Sequence, residues 1–321
     1  MTRSGKQGPV LTTTENRFVL DGEPIELWGI RTSSATASDD QCQHLIDQLD
    51  DYRAHGVNSV TVFYQGCLGE NYNPFSADGT DIDDDHQRRM ERIIEACAER
   101  DMVVVVGIFY QRAPFDFEDP TAVENVLRTV ARELKPYGNV LLNTANENTS
   151  DYWNAAADVF DFSRPERIVD LCRAVHDEDP QRLVGGGGYH PETNVAVGRA
   201  DEVDVLCFDT GRPSPEQHDS GALHDRYVAA GVDDKPLVNV ELFGGWSSNF
   251  PRGVFPDEAR RAYEAEIQRA SDREGLSIFF HSGPWCQHET EPMRYDLGGQ
   301  GTAEDPGIRW YFEAVRAARS E

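Results

Sequence analysis

The chain has 321 residues, a length at which an α/β barrel stays undivided, so one domain over 1–321 is expected, with 1–16 a flexible leading segment. Acidic residues outnumber basic ones by 57 to 30, and the resulting formal charge of −27 excludes nucleic acid and anionic membranes as partners, since phosphate binding needs Lys and Arg. Only Lys6, Lys135 and Lys235 are lysines. Carboxylates keep a protein solvated where the Debye length has fallen to about 3 Å, as at 1 M salt, so the composition predicts a halophilic source.

The first ten residues contain no apolar signal-like core, and no run approaches the ~18 apolar residues of a membrane span. A cytoplasmic protein is the expectation, with a secreted mature form or a component of a larger particle left open. The 6 cysteines are scattered without a CxxC pair, which predicts neither a zinc module nor a disulfide framework. No metal or cofactor is expected, and the oligomeric state is unassigned.

In chain order, residues 17–20 and 23–27 flank Asp21-Gly22 and read as a hairpin that closes the amino-terminal end of a barrel. Strands are then expected at 26–30, 59–63, 102–108, 140–143, 182–185, 203–208, 237–240 and 276–280. The run Val103-Val104-Val105-Val106 does not alternate, which suits a strand covered on both faces. Helices between the strands show apolar or cysteine residues at i, i+3, i+4 and i+7, as in Cys42/Leu45/Ile46/Leu49, Met90/Ile93/Ile94/Cys97, Val123/Val126/Leu127/Val130, Ile168/Leu171/Cys172/Val175 and Ile308/Tyr311/Phe312/Val315. Ser38 with Gln41 predicts a capping box, and Asp119-Pro120 and Asp305-Pro306 each predict a capped helix start. Alternating strands and helices predict a (β/α)8 TIM barrel. A doubly wound sheet competes, but Gly29-Ile30-Arg31-Thr32-Ser33-Ser34 stands where its glycine fingerprint would be.

A barrel of this kind carries its chemistry at the carboxyl ends of the strands. Those ends offer Arg31, Tyr64 with Gln65, Tyr110 with Gln111 and Arg112, Asn146 with Glu147, Tyr189 with His190, Asp209 with Arg212, Glu241, and His281 with Trp285. Polar and aromatic groups thus converge on one rim, as a sugar site requires. The glycines at 185–188 suit a turn, room for a ligand, or a phosphate site.

The segment Leu141-Leu142-Asn143-Thr144-Ala145-Asn146-Glu147-Asn148 resembles the strand-four Asn-Glu motif of the clan A glycoside hydrolases, which include the family 5 cellulases and mannanases. Val238-Asn239-Val240-Glu241-Leu242-Phe243-Gly244 resembles their strand-seven glutamate motif. The resemblance implies a retaining β-glycosidase in which Glu147 is the acid/base and Glu241 the nucleophile. Breaking a glycosidic bond needs a proton on the leaving oxygen and, for retention, a second carboxyl about 5–5.5 Å from the first. Glu147 must then start protonated, while donors such as Arg31 and Tyr189 hold Glu241 ionised. Asn146 is expected to bond the 2-hydroxyl, and Trp285 to offer a face to the ring. Tyr64, His190, Asp209 and His281 complete the expected carbohydrate-binding set, and residues 148–165, with Tyr152, Trp153 and Phe160, are expected to cover the site.

The sequence also departs from the family. Strand two ends in Val62-Phe63, strand three in Phe109-Tyr110-Gln111 and strand six in Phe208-Asp209-Thr210, where the family carries an arginine, a histidine and a His-x-Tyr. Arg31 and either Tyr189 or Tyr64 are expected as substitutes. Among rivals, amidohydrolases need a His-x-His after strand one, and aldolases need a lysine inside the barrel, whereas Lys135 and Lys235 precede their strands. The remaining alternative is a carbohydrate-binding barrel without turnover.

Overall fold

The computed structural model describes residues 7–67, 72–211, 219–247, 249–250, 253–283 and 293–319. It contains a closed barrel of parallel strands: β4 (Trp28–Ser33), β5 (Ser59–Phe63), β6 (Val103–Phe109), β7 (Val140–Ala145), β8 (Leu183–Gly186), β9 (Val205–Asp209), β10 (Leu237–Glu241) and β11 (Leu276–Phe280). They follow one another around the ring, and β11 closes on β4 through Ile278 and Trp28. The (β/α)8 expectation holds. Preceding the barrel, β1 (Leu11–Thr14), β2 (Arg17–Leu20) and β3 (Glu23–Ile25) form a small antiparallel sheet. The expected hairpin is therefore three-stranded, and residues 11–14, placed by the sequence in a flexible segment, pair with β2 instead. Leu-Thr-Thr-Thr has one apolar residue and no readable alternation, but burying Leu11 rewards the pairing.

Helices α1 (Asp39–Ala54), α2 (Asp84–Ala98), α3 (Pro120–Leu134), α4 (Pro165–Glu178), α5 (Pro191–Gly198), α6 (Ser220–Ala229), α7 (Gly244–Ser247), α8 (Asp257–Ser271) and α9 (Arg309–Ala318) follow the strands or their loops. The predicted stripes bury Cys42, Leu45 and Leu49 on α1, with Ile46 half-buried beside them, and Met90, Ile93, Ile94 and Cys97 on α2. Ser38 accepts from Gln41 N at 3.1 Å, and Asp119 from Ala122 N at 3.0 Å, each satisfying an amide that the first helical turn leaves free. Asp305-Pro306 behaves differently. Asp305 accepts from Gln300 N at 3.0 Å and closes a local turn, so α9 starts only at Arg309.

Inside the barrel, the lower lumen is apolar. Val103, Val105, Leu141, Leu183, Val205, Cys207, Val238, Val240 and Phe279 meet there, and Leu11, Phe18 and Leu27 plug the end below them. Large residues need facing gaps: a Cβ on Gly29 would overlap the Phe279 ring, and one on Gly107 the Phe63 ring. The glycines at 185–188 serve the same end. Side chains at Gly185 and Gly187 would strike the carbonyls of Val205 and Cys207 on the adjacent strand, so their smallness lets two backbones approach. Backbone packing thus accounts for the absence of side chains at Gly185 and Gly187.

Candidate active site

Above the apolar layers the lumen turns polar, and irregularities in two strands help it do so. The β9–β10 register shifts between Asn239 and Glu241, and the β4–β5 register between Arg31 and Ser33. With Val238 and Val240 facing the lumen, strict alternation would turn Glu241 outward; the bulge re-aims it inward. Asn239 locks the bulge, accepting from Glu241 N at 3.1 Å while donating to Thr210 Oγ1 and Ser220 Oγ. Thr210 Oγ1 in turn accepts from Phe243 N at 3.2 Å.

Glu241 is 3% exposed, and its Oε2 lies 2.8 Å from Arg31 Nη1. The Tyr189 hydroxyl donates to its other oxygen at 3.4 Å. Arg31 is fully buried beneath the rim, with its guanidinium 4.9 Å from the Phe63 ring centroid. Its Nη2 donates to Asn146 Oδ1 at 3.0 Å, so one side chain links the end of β10 to the end of β7. Burial works against the Arg31 charge, but Glu241, with further help from neighbours including Asp209, outweighs it and raises the pKa. Asn146 is fixed from its other end, donating to Gln111 Oε1 at 2.8 Å.

Glu147 follows with φ +45, and Phe243 has φ +58, both in the left-handed region that costs non-glycine residues roughly 1–3 kcal/mol each. The Glu147 turn is held by Trp153, whose indole N–H reaches the carbonyls of Asn146 and Glu147 at 3.0 and 3.1 Å. Burial, and then the charge of Glu241, push the Glu147 carboxyl well above the ordinary range, against the opposing pull of Arg31 and Arg112. Two glutamates on one rim therefore sit in contrasting settings. One is paired with a buried cation, and the other is biased toward keeping its proton.

The remaining expected site residues divide. Asp209, 2% exposed, belongs to the same electrostatic cluster: burial first, then Glu241 and Glu147, raise its pKa. His281 is buried beside the site, where its Nδ1 shares a 2.8 Å hydrogen bond with Ser247 Oγ, which also donates to Gly244 O. It thereby supports the turn after Glu241. His190 is exposed at the start of α5 and makes no side-chain hydrogen bond among the described residues. Tyr64 does not join the cluster. It points between β5 and α2, bonding Gln87 Oε1 at 2.7 Å and packing on Phe75 and His86, so Tyr189 alone supplies a tyrosine to Glu241. Trp285 and Arg212 lie outside the described residues. Of the expected covering segment, Trp153 and Phe160 are buried against Phe162, while Tyr152 is 55% exposed beneath the Arg112 guanidinium.

Asn239, Thr210 and Gly244 build the site without having been assigned a role from sequence, while Gln111, named only as a strand-end residue, positions Asn146, and Trp153, expected as cover, holds the Glu147 turn. A Cβ on Gly244 would overlap both the Glu241 carboxylate and the Tyr189 hydroxyl. Among the described residues no cluster of His, Cys, Asp and Glu is arranged to hold a metal ion, and no helix is long and apolar enough to cross a membrane.

The family model described as cellulase (glycosyl hydrolase family 5) matches residues 19–201, a span that includes Glu147 and ends before Asp209 and Glu241. Among solved structures, the chain is similar to an endo-1,4-beta-mannanase from Rhizomucor miehei, with 15% identity, TM-score 0.61, and coverage of 85% of this chain and 90% of that one. A beta-1,4-D-mannanase from Cryptopygus antarcticus gives 14% identity and TM-score 0.63 over 96% of this chain and 94% of that one. A hyperthermophilic endocellulase from Pyrococcus horikoshii gives 13% identity and TM-score 0.61 over 98% and 100%. At such identities the likeness is one of fold. No curated protein matches the sequence.

Proposed function

The chain belongs to glycosyl hydrolase family 5, and from that premise we propose that it cleaves β-glycosidic bonds with retention, Glu147 serving as acid/base and Glu241 as nucleophile. The observation that carries this reading is Arg31. Its guanidinium pairs with Glu241 and bonds the side chain of Asn146, the residue next to Glu147, so a single buried cation ties together the two strand ends that carry the carboxyls. Glu147 gives its proton to the leaving oxygen while Glu241 attacks the anomeric carbon. The deprotonated Glu147 then draws a proton from water as that water releases the sugar from Glu241. Arg31 and Tyr189 hold the attacking carboxylate in place before and after transfer.

Asn146 keeps an amide hydrogen for the substrate's 2-hydroxyl after serving Gln111. The scarcity of lysine and the charge of −27 support a protein built for high salt, so the assay belongs in molar salt. Turnover of a panel of aryl β-glycosides by wild type, Glu147→Gln and Glu241→Gln tests the assignment. General acid/base catalysis contributes roughly 10²–10⁴-fold, and Glu147→Gln should lose a factor in that range, with Glu241→Gln losing at least as much. Equal cleavage by all three proteins would remove both residues from their roles. Glycan binding by a wild type that cleaves nothing would favour a binding barrel instead.

A further inference from the structure

The polar end of the lumen contains three carboxyls and one buried arginine. The charge of Glu241 is committed to Arg31, and Glu147 must keep its proton for the leaving group. The third carboxyl, Asp209, has no such commitment. It stands at the end of β9, two residues beyond Cys207 and four beyond Val205, both of which face the lumen, and in register with Glu241 on β10. It is 2% exposed, its Oδ1 is buried without a hydrogen-bond partner, and no ion pair reaches it among the described residues. The charged and titratable groups that face it are Glu241, Glu147, Arg31, Tyr189, Cys207 and Tyr227.

Leaving a buried polar atom unsatisfied is unfavourable, and such atoms persist where a ligand completes them. A neutral sugar hydroxyl offers Asp209 a hydrogen bond that an amide or hydroxyl residue would offer equally well. A cationic group offers more. It lets Asp209 ionise in a poorly solvated place, where an ion pair is much stronger than in water. We infer that the sugar seated beside Glu241 carries a protonated amino group, and that Asp209 is its carboxylate partner. This deepens the glycosidase reading and rests on it. On binding, the carboxylate pairs with the substrate ammonium, and because burial raises the pKa of the free Asp209 carboxyl, the pairing drives any proton it holds into solvent.

The test compares p-nitrophenyl β-glucosaminide, with its free amine, against p-nitrophenyl β-glucoside for wild type and Asp209→Asn, which keeps the shape and hydrogen bonding but not the charge. Wild type should prefer the amine by at least about tenfold in kcat/KM, the low side of what a desolvated ion pair contributes, and Asp209→Asn should lose that preference. Calorimetry of glucosamine and glucose binding to Glu147→Gln should show tighter binding of glucosamine, and that difference should vanish when Asp209→Asn is added. Equal use of the two glycosides by wild type, or an unchanged preference in Asp209→Asn, overturns the inference while leaving the glycosidase reading intact. If neither glycoside is cleaved, turnover of the wider panel of aryl β-glycosides decides the glycosidase reading, and the calorimetric comparison of glucosamine with glucose still decides the role of Asp209.

Discussion

Two buried arginines at opposite ends of the barrel show how differently one side chain can be used. Arg182, just before β8, donates to the carbonyls of Leu134, Tyr137 and Val140 and pairs with Asp179 at 3.3 Å. Its partners are mostly backbone, and burial, the dominant influence, lowers its pKa to about 10. Arg31, at the end of β4, bonds the side chains of Asn146 and Glu241, and its charge is reinforced by the carboxyls around it. The first fastens the chain to itself. The second links Asn146 and Glu241 across the proposed site. On the proposed assignment, stability and chemistry are allotted to opposite rims, as barrels allow.

Substitutions at the two ends should separate accordingly. The largest effect is expected from Arg182→Met, which takes the buried cation from Asp179 and a side-chain donor from three carbonyls. Removing one partner of a buried pair costs about 3–5 kcal/mol, to be read as a lower urea midpoint, with kcat of the folded fraction unchanged. Arg31→Met should reduce kcat on the order of 10²–10³-fold, the scale found when one preorganised electrostatic contact is removed. A loss of stability from Arg31→Met without loss of kcat would erase the contrast. Gly244→Ala should follow, at about 10²-fold in kcat/KM, since misplacing a reacting group by about 1 Å has that effect. Its φ is not in the left-handed region, so circular dichroism and the melting temperature should change little.

A smaller effect sharpens the comparison through pH. Asp209 has a folded-state pKa above its unfolded value, so between the two the folded chain holds a proton that the unfolded chain releases. Its stability penalty is absent below about pH 4, near the unfolded value, and grows as pH rises toward the folded one, by up to about 1.4 kcal/mol per pH unit. Denaturant midpoints from pH 4 to 8 should therefore fall more steeply for wild type than for Asp209→Asn. Glu147 acts in the same direction, and Glu147→Gln should flatten the curve further.

The fold was legible because helix stripes such as Met90, Ile93, Ile94 and Cys97 repeat over several turns, and because β6 reads as four consecutive valines. Facing was much less so. A strand buried on both sides has no polar alternation, so nothing in Ser59–Phe63 told that Phe63 would enter the lumen and Tyr64 turn toward Gln87. Glu241 presented the reverse problem. Alternation from Val238 and Val240 points it outward, and only the bulge held by Asn239 corrects this, a feature with no local signature. Trp153 resembled a lid residue by its loop position, yet its indole props the Glu147 turn from beneath. Such roles depend on the direction in which a side chain points, which spacing along the chain does not encode.

The central claim is that Glu241 attacks directly, with Glu147 above it as the proton donor. The most direct test is proton NMR of a β-glycoside during the first turnovers, before the released sugar mutarotates. The account predicts that the β-anomer appears first and the α-anomer grows in later. Initial appearance of the α-anomer would mean that water attacks in a single displacement, and Glu241 would then be a base and not the nucleophile.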